Sequence, residues 1–148
     1  MSLEVKINEA IIAGMKAQDK ATLRALRGIK SAIMLVKTDG SGNIIDEAKE
    51  IQILQKLLKQ RKDSLEIYVK QNREDLAVIE REEIAVIEKY LPQALSNDEI
   101  EENIKQIIKE TGAESMKDMG KVMGLASKSM AGQADGKLIS EIVKKLLA

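Results

Sequence analysis

The eleven residues YLPQALSNDEI, Tyr90 to Ile100, decide how this chain is read. Pro92 is the only proline in the sequence. Its ring disfavours helical backbone at Leu91, so an upstream helix has to stop there. Four residues on, Ser96, Asn97, Asp98 and Glu99 form a capping box. In that motif a Ser side chain and a Glu three residues later satisfy each other's free backbone N–H groups, which starts a helix. A stop and a start this close together divide the chain into residues 1–92 and residues 96–148.

Upstream, Leu3, Ile7, Ile11 and Met15 recur every four residues and predict one face of a first helix, ending near Gln18. Asp19 reads as the N-cap of a second helix with Leu23, Leu26, Ile29, Ile33 and Val36 inside, stopping at the loop TDGSGN, Thr38 to Asn43. Asp46 caps a third helix, in which Ile51, Leu54, Leu58, Leu65 and Tyr68 follow a seven-residue pattern interrupted at Arg61. Asn72 reads as the end of the third helix and also, with Asp75 three residues on, as the start of a capping pattern for a fourth, which carries Leu76, Ile79, Val86, Ile87 and Tyr90 to Leu91.

Downstream, Ile100, Ile104, Ile107 and Ile108 line a fifth helix that Gly112 ends. A sixth helix is expected from Met116 to Ala131, bounded by Gly132. A seventh starts at Asp135 or Gly136 and buries Leu138, Ile142, Val143 and Leu146. No segment alternates convincingly enough to be a strand. The expected fold is all-α, a four-helix part followed by a three-helix part.

Composition agrees with helix and limits chemistry. Of 148 residues 44% are hydrophobic and 32% charged, and the only aromatics are Tyr68 and Tyr90, so Leu, Ile, Val, Ala and Met must build the core. The chain has no Cys and no His, which excludes disulfides, zinc sites built on those residues, and Cys-His or Ser-His-Asp nucleophiles. No catalytic constellation, metal site or cofactor site is expected. The start MSLEVKINEA lacks the features of a signal peptide and no stretch is long enough to span a bilayer, so the expected home is cytoplasmic, with no membrane partner.

Lys plus Arg and Asp plus Glu are both 24, so affinity for an anionic partner has to come from segregated charge. Lys16, Lys20, Arg24 and Arg27 lie three or four residues apart and form a basic stripe, either a solvated helix face or a phosphate contact. Lys117, Lys121 and Lys128 share a side of the sixth helix, and Lys137 sits in the first turn of the seventh. Gly120 and Gly124 each weaken the sixth helix by up to about 1 kcal/mol relative to Ala. Packing of another helix and close approach of a nucleic-acid backbone are the two explanations weighed. Met116, Met119, Met123 and Met130 follow one face and read as adaptable core or a partner groove. In GQADG, Gly132 to Gly136, Asp135 reads as a cap. Arg61 in the third apolar stripe and Glu83 in the fourth predict interior ion pairs of Arg61 with Glu80 or Glu83, with Arg73 near the turn.

Taken together, QRKDS (Gln60 to Ser64), NREDL (Asn72 to Leu76), Glu80 to Ile84, YLPQALS, DMGKVMG (Asp118 to Gly124) and GQADGK resemble the YqeY family in order and spacing. The likeness runs from MKAQDKATLRALR to ISEIVKKLL. It implies a helical bundle with a small helical tail domain, a module shared with the end of GatB. GatB is a subunit of the aminoacyl-tRNA amidotransferase, a carbon-nitrogen ligase with glutamine as amido-N-donor. In GatB the tail helps to hold tRNA while catalysis occurs elsewhere, and this chain is similar to the module without the catalytic domain.

The resemblance implies an RNA-facing surface at Lys117, Gly120, Lys121, Gly124 and Lys128, and at the turn Gly132, Gln133, Asp135, Gly136 and Lys137. Relatives often have a basic residue where this chain has Gln133. The partners implied are tRNA and subunits of an amidotransferase. The competing reading is a protein-protein adaptor that uses the methionine and glycine face. A self-sufficient ligase is disfavoured by the missing Cys and His and by the absence of a GxxxxGK[ST] phosphate loop.

Overall fold

The computed structural model describes residues 1–42 and 44–148; Asn43, the last residue of the expected TDGSGN loop, lies outside them. Among the described residues there are seven α-helices, one short 3-10 turn and no strand. Contacts divide the chain into two compact units, Met1–Leu91 and Pro92–Ala148.

The first unit holds α1 (Leu3–Ala17), α2 (Lys20–Thr38), α3 (Glu47–Lys70) and α4 (Glu74–Glu88). Each start is explained by a local device, with one exception. Ser2 accepts from the Val5 N–H, Asp19 from Thr22 and Asp46 from Lys49, so orphan N–H groups at three helix starts are satisfied. Only Gln18 and Asp19 join α1 to α2. Gln18 is left-handed (φ 56°), which ends α1, and Asp19 caps α2. The exception is α4. Its N-cap is Arg73, with no side-chain cap bond. Asn72 serves the preceding helix: at φ 57° its N–H donates to the Val69 carbonyl, and the Arg73 N–H donates to the Tyr68 carbonyl. That is a Schellman stop with Asn in the glycine position. The helix also ends at Glu88, three residues before the position Pro92 suggests, because N–H groups of Lys89, Tyr90 and Leu91 bond three residues back and tighten the last turn.

Within this unit α1 packs on α2, α2 on α3 and α4, and α3 along α4. The core contains Leu3, Ile7, Leu26, Ile29, Ile33, Ile53, Leu54, Val86 and Ile87. On α1 the inward face runs through Gly14, where a Cβ would come within 3.1 Å of Leu23, and Met15 is exposed, unlike its expected place in the stripe. Fully burying each Leu, Ile or Val contributes roughly 1.5–3 kcal/mol.

The second unit holds α5 (Asn97–Thr111), a 3-10 turn (Met116–Asp118), α6 (Met119–Ser129) and α7 (Gly136–Leu147). The Ser96 hydroxyl accepts from Glu99 N–H at 3.2 Å and the Glu99 carboxylate from Ser96 N–H at 3.1 Å, completing the capping box. Gly112 (φ 69°) ends α5. The expected single helix from Met116 is divided: Ser115 caps a 3-10 turn, and α-helix begins only at Met119. The three helices contact one another around Ile100, Ile104, Ile107, Val122, Ala126, Met130, Ile139, Val143 and Leu147. On α7 the buried line is therefore Ile139, Val143 and Leu147; Leu138, Ile142 and Leu146 flank it, half-buried.

Candidate nucleic-acid interface

The outward side of α6 is built by exclusion. Val122, Ala126 and Met130 are fully buried, with Met119 and Met123 packed beside them. At 100° per residue this turns Lys121, Gly124 and Lys128 to the opposite side, and all three are exposed. Lys117, on the 3-10 turn ahead, and Gly120 are exposed too. Four of the methionines were expected on one face. Three of them belong to the core, and Met116 is exposed.

The glycines correct an expectation about packing. A Cβ built on Gly120 or Gly124 meets nothing within 4 Å, so no neighbouring helix explains either residue. The helix nonetheless bears their conformational cost, each up to about 1 kcal/mol. Beside them, Lys117, Lys121 and Lys128 form no ion pair among the described residues, where the one pair found in this unit joins Lys105 to Glu101. Lys121 and Lys128 lie roughly 10 Å apart along the axis and about 20° apart around it. The result is a helix face with bare backbone flanked by unneutralised ammonium groups.

The turn that follows is more constrained than its sequence suggests. Gly132 takes φ 77°, and Asp135 accepts from Lys137 N–H at 3.2 Å, which caps α7. Gln133 is tied down at both ends. Its carbonyl accepts from Leu95 N–H at 2.8 Å, and its side-chain amide donates to the Gln93 carbonyl at 3.4 Å. Gln133 thus clasps the 93–95 segment and is half-buried, while Gly136 and Lys137 are exposed, Lys137 without an ion pair. The Leu95 to Gln133 bond is a feature sequence reading missed, because a backbone carbonyl's partner leaves no trace in side-chain type.

The expected interior ion pairs form in the first unit. Arg61 Nη1 lies 3.3 Å from Glu80 and 3.2 Å from Glu83, joining α3 to α4. Glu83 also takes Arg24 at 3.3 Å, and Arg24 reaches Glu82 at 2.9 Å, so the network extends to α2. Arg73 does not join it. It pairs with Asp75 at 3.0 Å on the surface, because the Schellman turn carries it outside the helix interface. Glu80 is buried, and its Oε2 has no hydrogen-bond partner. Burial pushes its carboxyl above the ordinary range, opposed by Arg61 and reinforced by Glu83.

Among the described residues no group of three or more acidic side chains is arranged to hold a metal, and no helix is long and apolar enough to cross a membrane. A family model described as Yqey-like protein matches residues 4–147. Similar proteins from Lachancea thermotolerans and Kluyveromyces lactis are each 36% identical, over 65% and 64% of this chain and 52% of theirs. One from Vanderwaltozyma polyspora is 33% identical over 71% of this chain and 60% of its own. All three are called altered inheritance of mitochondria protein 41, mitochondrial. The chain spans about half the length of the curated relatives it matches.

Proposed function

This chain belongs to the YqeY-like family, and from that premise we propose that it docks folded tRNA through the outer face of α6 and the start of α7. The role is accessory. It serves a glutamine-dependent tRNA amidotransferase system and leaves the carbon-nitrogen ligase chemistry to another polypeptide. With neither Cys nor His, the chain has no side chain of the usual kind for releasing ammonia from glutamine. The second unit acts as the RNA-holding tail.

The observation that carries the reading is the pair of open glycines, Gly120 and Gly124, among Lys117, Lys121 and Lys128. A bare helix face lets a sugar-phosphate strand approach the backbone, and the lysines supply its counter-charge. With two tyrosines as the only aromatics, stacking on single-stranded bases is a poor alternative, which favours a structured RNA. The adaptor reading keeps one specific support, the exposed Met116 and Leu125. It loses Met119, Met123 and Met130 to the core. We place this chain in the cytoplasm, whereas the named yeast relatives are called mitochondrial.

The test is fluorescence anisotropy of labelled folded tRNA across a salt series, with unstructured RNA of equal length as control and Lys121→Glu with Lys137→Glu as the variant. Preference for folded RNA that weakens steeply with salt and vanishes in the variant is expected. Absence of binding at low salt would overturn the proposal and leave the adaptor reading.

A further inference from the structure

One helix of the first unit repeats the features of α6. The helix α2 carries five basic residues, Lys20, Arg24, Arg27, Lys30 and Lys37, and no acid. Two of these are neutralised inside the unit, Arg24 by Glu82 and Glu83 and Lys37 by Glu4 at 2.6 Å. Lys20, Arg27 and Lys30 are exposed and make no ion pair among the described residues. Lys20 and Arg27 stand two turns apart, about 20° from each other around the axis. Gly28, about 80° from Lys20 around the axis, is exposed, with nothing within 4 Å of a built Cβ.

The same pairing of an unpacked helical glycine with unneutralised cations therefore appears in both units. The other helices of the first unit differ. Among α1, α3 and α4 every helix has acids in its first turn, and none has an open glycine in its interior. We infer that the outer face of α2, which runs around the axis from Lys30 through Arg27 and Lys20 to the open Gly28, is a second phosphate-contact surface for the same folded RNA. This inference rests on the tRNA-docking reading and extends it to the first unit. Arg27 supplies what the lysine-only second unit lacks, a planar guanidinium suited to bidentate phosphate contact.

The experiment uses the full chain and folded tRNA in the same salt series. One variant is Lys20→Gln with Arg27→Gln and Lys30→Gln, and a second is Lys121→Gln with Lys137→Gln. A control is Lys6→Gln with Lys56→Gln and Lys59→Gln, which removes equal charge from exposed, unpaired positions elsewhere. If three phosphate contacts are lost, the slope of log affinity against log salt falls by roughly 2–3 in the α2 variant, at about 0.7–0.9 per contact. The control keeps the parent slope. An α2 variant indistinguishable from the control, with the second variant impaired, would overturn this inference and leave the tRNA reading standing. Loss in the α2 variant alone would support the α2 surface and displace the RNA site from α6. No binding by the parent chain would overturn both.

Discussion

Replacing Gly124 with Ala is expected to make the second unit more stable and the chain a poorer RNA binder. Gly124 is the sixth residue of the eleven in α6, its φ is not left-handed, and a methyl there touches nothing. The substitution removes backbone entropy from the unfolded chain without a steric penalty, a gain of about 0.5–1 kcal/mol. For a unit of 57 residues, Pro92–Ala148, that corresponds to a rise in melting temperature of roughly 2–8 °C. Gly120→Ala gains less because it lies in the first turn. Urea unfolding by far-ultraviolet circular dichroism and by tyrosine fluorescence separates the units, since Tyr68 and Tyr90 both lie in the first. The gain has to appear in the component that fluorescence does not report. A methyl forced into a fitted contact costs about 1 kcal/mol or more, so tRNA affinity is expected to fall roughly fivefold. Destabilisation by Gly124→Ala would refute the open-face geometry. Stabilisation with unchanged affinity would refute the close approach of RNA.

Ser96→Ala removes one half of the reciprocal cap on α5 and is expected to cost the second unit about 1 kcal/mol in the same unfolding assay; a change too small to measure would mean that water caps the helix equally well. Glu80 predicts a pH effect in the first unit. Its folded pKa is raised by burial above its unfolded value, so the folded state binds the proton more tightly. That contribution is complete below the ordinary carboxylate range and is lost as pH rises through the raised value. Relative to Glu80→Gln, the parent chain is therefore expected to gain stability on mild acidification from neutrality. Parallel pH profiles of the two proteins, followed by tyrosine fluorescence, would contradict this.

Much of the fold could be read from sequence because its punctuation is local. Asp19, Asp46, Ser96 and Asp135 sit two or three residues from the N–H groups they satisfy, so their roles follow from neighbours in the chain. Arg61 was legible for a different reason, as a charge interrupting an apolar stripe needs a partner, and Glu80 and Glu83 were the acids at the right depth. Asn72 fits both a stop and a start in the sequence; its left-handed backbone makes the stop of α3, while the start of α4 falls to Arg73 without a side-chain cap. On α7 Val143 is buried as expected, but its companions are Ile139 and Leu147 and not Leu138, Ile142 and Leu146, because these neighbours are equally apolar and only the adjoining helices select between them. For the candidate site, the lysines could be named but the emptiness around the glycines could not. Space beside a Cα depends on what other segments leave vacant, which no spacing records.

Met130 has a consequence under oxidising conditions. A chain without cysteine or histidine offers peroxide its methionines first, and they differ sharply in access. Met116 is 45% exposed on the 3-10 turn, while Met130 is 1% exposed amid Ile and Val. An oxidant meets Met130 only during excursions in which the second unit opens. The sulfoxide formed then is polar and disfavours return to that core, so each excursion caught leaves a mark that persists until it is reduced. The fraction oxidised at Met130 thus becomes a cumulative record of how often the tail has opened, and damage at that one sulfur makes further damage easier until a reductase reverses it.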